Sequence, residues 1–138
     1  MSETAALHAR NAYNACHIGL EDPVGLVVRL YEGLISFLGR GAEALEQQDF
    51  KRAAEAIGRG LDIVGALQAT LDLDKGGEVA ANLDRLYDWM RREVLTAHLH
   101  RDAGAVRRVV ELVTPLRDAW SEARTRAPES PPPAETAP

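Results

Sequence analysis

Cysteine occurs once, at Cys16, so no disulfide can close within the chain, and such a composition suits a reducing compartment. Aromatic residues are scarce, at 5%. Strands draw on aromatic and β-branched residues, whereas Ala and Leu lead the apolar residues of this chain, a mix that favours helices. No apolar run approaches the ~18 residues of a membrane span, so no membrane insertion is expected. The opening MSETAALHARN lacks the basic start and apolar stretch of a signal peptide. No basic face stands out either. The formal charge is −5, and arginines are interspersed with Glu and Asp in every segment, which argues against nucleic acid as a partner. These absences lead to the expectation of a soluble protein of the cytoplasm.

Chemistry-bearing patterns are also missing. Di-metal helix bundles use Glu-x-x-His pairs that point inward, and no Glu here is followed by a His three residues later. His98 and His100 are two apart and diverge on a helix, while His8, His17 and Cys16 have no ligand spacing. Lys75-Gly76-Gly77 reads as a helix–helix turn rather than a phosphate loop. Ser36 and Ser121 fall on polar helix faces with nothing to activate them, and Asp72 and Asp74 read as turn residues. We therefore expect no catalytic residue, no metal and no cofactor.

What the chain does have is helical periodicity. The 138 residues fit a single domain. Asp22-Pro23 is an N-cap followed by Pro at the first helical position. The helix it opens runs to about Gln48, with Arg29, Glu32, Ser36, Arg40, Glu43 and Gln47 on one polar line and an apolar arc wide enough to make it the most buried helix. Asp49 caps a second helix with the stripe Ala53, Ile57, Leu61, Val64, Leu67 and Leu71, which ends at Asp72–Gly77. A third, from about Glu78 to His100, presents Val79, Leu83, Leu86, Tyr87, Met90, Val94 and Ala97. Asp102 caps a fourth with Val109, Leu112, Val113, Leu116, Trp120 and Ala123, and Pro115 faces outward from it. Short connections make neighbours antiparallel, so the pattern predicts an all-α, up-and-down four-helix bundle over 21–126. Residues 1–20 form a short N-terminal arm or helix before it, and the Pro-rich 127–138 a disordered tail after it.

Surface shape is then the remaining source of function. Ala54, Gly58, Gly65 and Ala69 lie within about 60° of one another on the second helix, displaced from its core stripe. Gly inside a helix costs about 0.8–1 kcal/mol against Ala, so Gly58, Gly60 and Gly65 ask for compensation. Either the helix packs closely on a neighbour there, or a partner helix lies in a shallow groove. Other apolar residues miss their stripes. Ile63 is about 90° off, Leu95 and Leu99 fall with Asp84, Asp88 and Arg91, Val106 and Val110 flank the fourth stripe, and Trp89 lies among Asn82, Glu78 and Glu93. Together they predict an apolar surface for a partner. The alternative is a structural or oligomerising bundle without a client, whose off-stripe residues form a homodimer face.

Four stretches in register carry a resemblance: Tyr13 ten residues before Pro23, DPVGLVVRLYEGLISFL over 22–38, LDLDKGGEVAANLDRLYDWM over 71–90, and PLRDAW over 115–120. Over residues 11–123 the chain resembles the FliS family of flagellar export chaperones. That family often has Tyr where Trp89 stands and Asn where His98 stands, and many members carry a second N-terminal aromatic. The resemblance implies a cytoplasmic four-helix-bundle chaperone that binds the disordered C-terminal segment of flagellin. Binding prevents premature polymerisation and keeps the subunit competent for flagellar type III export. It further implies contact with the flagellar export gate, and an N-terminal arm, with Tyr13 as its aromatic, that covers part of the groove until flagellin binds.

Overall fold

The computed structural model describes residues 22–126. Four helices fill this span: α1, Pro23–Glu46; α2, Phe50–Ala69; α3, Gly77–Leu99; and α4, Ala103–Arg126. They form the expected antiparallel bundle. α1 lies beside α2 and α4, α3 lies beside the same two, and α1 and α3 face each other across the diagonal. The arm predicted over 1–20, with Tyr13, and the tail over 127–138 lie outside the described residues.

Each helix starts and stops for local reasons. Asp22 caps α1, its Oδ1 accepting from Gly25 N–H at 2.8 Å, and Pro23 follows as anticipated. A Cβ on Gly25 would sit 2.1 Å from the Asp22 carboxylate, so the cap requires glycine there. The first and last connections are built alike. Gln48 and Arg101 take left-handed φ values of 61° and 55°, and the N–H groups of Asp49 and Asp102 reach back to Ala44 O and Ala97 O. Asp49 and Asp102 then cap the next helix through Arg52 N–H and Ala105 N–H. Between α2 and α3, Asp72 Oδ1 accepts from Asp74 and Lys75 N–H, the turn role expected of it, and Gly77 supplies a φ of +61°. α2 ends at Ala69, earlier than the stripe suggested, yet Leu71 stays buried beyond its end.

α1 is the central helix. Twelve of its residues are buried, against five in each of the others, and its predicted polar line is exposed throughout. At the heart of the bundle Tyr31 of α1 and Tyr87 of α3 meet across the diagonal, hydroxyl to hydroxyl at 2.8 Å, with Trp120 tilted beside Tyr31. Buried hydroxyls must find partners, and this pair fixes how α3 sits relative to α1.

Two stripes are rotated from expectation. In α3, Ala80 takes a core position while Val79, Leu83 and Leu86 are only partly buried. In α4, Val106 is wholly buried, at 0% exposure, and Leu112 is 52% exposed. These two flank Val109 by about 60° on either side at 100° per residue. The bundle axis lies on the Val106 side, so Val106 is a core residue and not part of a surface for partners. Pro115 faces outward as predicted.

Candidate functional site

The glycines of α2 separate into two kinds. A Cβ on Gly60 would stand 2.8 Å from Leu38 Cδ2, and one on Gly41 of α1 would stand 2.6 Å from Ile57 Cγ1. Gly33 of α1 likewise receives Ile63, whose Cδ1 would be 3.1 Å from an added Cβ. Close helix packing therefore explains Gly60, and it places Ile63 in the α1–α2 seam, half-buried, rather than on a free surface. Gly58 and Gly65 differ. No described residue comes within 4 Å of a Cβ at either position. Packing against α1 does not account for them.

They border the furrow between α2 and α3. Gln68 spans that furrow: its Nε2 donates to Asp84 Oδ1 at 3.1 Å and Asp88 Oδ1 at 2.9 Å, and its Oε1 accepts from Arg91. This brace sets the antiparallel register. With Gln68 opposite Asp84, Asp88 and Arg91, Leu61 falls opposite position 95 and Gly58 opposite position 98. Leu95 and Leu99 are 41% and 77% exposed along this edge. The furrow thus has a polar end, with Gln68, Asp84, Asp88 and Arg91 next to Gly65 and Ala69. Its apolar end has Ala54, Gly58 and Leu61 facing Leu95 and Leu99. His98 lies on the same side of α3, and its Nδ1 is buried with no hydrogen-bond partner among the described residues.

Of the residues expected to bind a partner, Ala54, Gly58, Gly65, Ala69, Leu95 and Leu99 come together along this one furrow. Trp89 does not join them. It is about 120° around α3 from Leu95, on the flank toward α4, and packs partly against the core. Val110 is half-buried on the α1-facing side of α4, the side from which Arg117 reaches Glu32 and Arg124 reaches Asp22. Sequence reasoning assigned Leu61 to the core, where the structure leaves it part-open beside Gly58. It did not single out Gln68, whose role depends on what α3 sets opposite it. Asp84 and Asp88, one turn apart and in line with Leu95, were the available signal.

Two properties bear on chemistry. Among the described residues no group of His, Cys, Asp and Glu could hold a metal ion. No described helix is long and apolar enough to cross a membrane.

The sequence profile of the family described as "Flagellar protein FliS" matches residues 6–127. The chain belongs to the FliS family. A flagellar secretion chaperone FliS of Salmonella typhimurium is 39% identical over 106 residues, covering 76% of this chain and 78% of its own length. The Campylobacter jejuni protein of the same name is 33% identical, covering 83% and 89%, and the Bacillus subtilis protein 31% identical, covering 81% and 83%. The family is one of flagellar secretion chaperones.

Proposed function

We propose that this chain is a cytoplasmic export chaperone that binds the C-terminal segment of flagellin along the α2–α3 furrow. In doing so it prevents premature polymerisation and keeps the subunit competent for type III export. It catalyses no reaction. Family membership supports the class of function. The observation that carries the site is the space the described residues leave over Gly58 and Gly65, beside exposed Leu95 and Leu99. An amphipathic segment that folds onto such a furrow gains apolar burial and loses ordering entropy, so affinity has to come from a long contact. The flagellar export gate is a second partner on this reading.

Calorimetry with a flagellin C-terminal peptide tests this. A 1:1 complex with a negative heat-capacity change is expected. Gly58→Leu or Gly65→Leu should abolish binding with helical circular dichroism unchanged, because the new side chain occupies the partner's space and nothing else. No binding at tens of micromolar would overturn the proposal. A tight dimer that buries Leu95 and Leu99 and ignores the peptide would favour the clientless homodimer instead.

A further inference from the structure

The polar end of the furrow is electrostatically incomplete. Asp84 and Asp88 lie one helical turn apart, both partly buried, and share a single neutral donor, Gln68 Nε2. Each uses only Oδ1 in that bond. Arg91, one turn further on, gives its guanidinium to Gln68 Oε1, and among the described residues neither carboxylate has a cation within ion-pair distance. Like charges at this spacing repel, and partial burial weakens the solvent screening that would relieve them. By contrast, every ion pair joining two helices in the described residues lies between α4 and α1 or its cap. The other end of the furrow is apolar and open, with Leu95 and Leu99 beside Gly58.

We propose that the furrow reads charge as well as shape. Its occupant is an amphipathic helix of another polypeptide that brings a Lys or Arg to Asp84 and Asp88 and an aliphatic pair to Leu95 and Leu99. The midpoints of the two residue pairs are eleven residues apart on α3. At 1.5 Å per residue that is roughly 16 Å, so in a bound helix the cation and the aliphatic pair are about eleven residues, or three turns, apart. Two unlike ends also fix the direction in which the helix lies. A purely apolar furrow would accept either direction, whereas this one penalises the reversed helix by placing its cation over leucines and its leucines over carboxylates. The free oxygens, Oδ2 of Asp84 and Asp88, are the acceptors for the incoming cation.

This inference rests on the furrow being the client site, and the test separates the two. A designed amphipathic peptide with one Arg eleven residues from a Leu pair is titrated by fluorescence anisotropy in parallel with the flagellin peptide. Replacing that Arg with Gln should weaken binding roughly three- to tenfold, and replacing it with Glu more. The protein variant Asp84→Asn/Asp88→Asn keeps the oxygens that accept from Gln68, so the brace and fold are retained. It should lose the discrimination between the Arg and Gln peptides and flatten the salt dependence of binding. Equal affinity of wild-type protein for the Arg, Gln and Glu peptides overturns the inference without any protein variant, whether or not flagellin binds. Flagellin binding that Asp84→Asn/Asp88→Asn leaves unchanged, in affinity and in salt dependence, overturns it while sparing the proposed function. Binding and discrimination of the designed peptides without flagellin binding would support it and remove flagellin as the client. A furrow filled by a second copy would show as a dimer mass that Leu99→Glu halves, and this too would overturn it.

Discussion

α2 meets its two neighbours in opposite ways. Against α1 it interlocks. Gly60 receives Leu34 and Leu38, Gly41 receives Ile57, and Gly33 receives Ile63. Against α3 it stands off, with no described residue within 4 Å of a Cβ at Gly58 or Gly65 and Gln68 bridging the gap. The same residue type thus does two jobs on one helix, within a few residues of each other. Glycine in the first seam lets two backbones approach until dispersion and burial offset its helix penalty. In the second seam the penalty has no visible offset among the described residues. The difference extends to α4. Three ion pairs link it to α1 or its cap: Asp22–Arg124, Glu32–Arg117 and Glu46–Arg107. None of the described ion pairs joins α3 to another helix. The bundle is a closely fitted α1 side with α3 held mainly by the buried core and the Gln68 brace.

The comparison breaks most visibly if the tight seam tolerates bulk. Gly60→Leu forces side-chain atoms into Leu38 and should destabilise the bundle by about 3 kcal/mol, read from chemical denaturation. Retention of wild-type stability would mean that α1 and α2 are not interlocked. Next in size is the N-terminal anchor of α1. Asp22→Ala removes the cap and should cost about 1 kcal/mol. Asp22 also gives the comparison a pH signature. The Gly25 N–H and the Arg124 guanidinium hold its carboxyl below the usual value of 3.8. A carboxyl lowered on folding stabilises the native state above its unfolded pKa, and that contribution fades as pH falls through the folded pKa. The stability gap between wild type and Asp22→Ala should therefore be full above about pH 4 and shrink in stronger acid. Gln68→Ala strikes the looser seam. It removes the donor shared by Asp84 and Asp88 and should cost about 1 kcal/mol, with faster amide exchange in α3 than in α1.

Much of this architecture is legible in the sequence, because it rests on local rules. The Asp22-Pro23 start, the caps at Asp49 and Asp102, and the polar line of α1 are written into adjacent residues, and the helices begin where those signals fall. The FliS resemblance, too, is readable from four short stretches. What could not be read locally is the direction of the bundle axis relative to each stripe. In α4 the spacing 109, 113, 116, 120, 123 continues backward to Val106, and that signal was available. Leu112 looked equally eligible by hydrophobicity alone, and only the position of α3 and α1 decides between them. The site shows the same limit. The glycine line on α2 was visible, but Gly60 and Gly58 became different residues only once α1 was set against one of them. Ile63, Val110 and Trp89 all lay off their stripes, yet they face three different directions.

The smallest effect is also the sharpest test of the open seam. Gly58→Ala and Gly65→Ala add one methyl group each, at positions where no described residue lies within 4 Å. No native contact is lost and no clash is made. Helix propensity alone then acts, and each change should stabilise the free protein by about 0.8 kcal/mol, visible as a small rise in the denaturation midpoint. If the furrow holds a helix against these glycines, the same methyl groups come between two backbones, so affinity for the flagellin peptide should fall as stability rises. Opposite signs in the two measurements are what a site retained for binding at the expense of stability requires. A gain in stability with unchanged affinity would leave Gly58 and Gly65 without a role in the furrow. A loss of stability would show that the seam is closed in solution, and the contrast between the two faces of α2 would disappear.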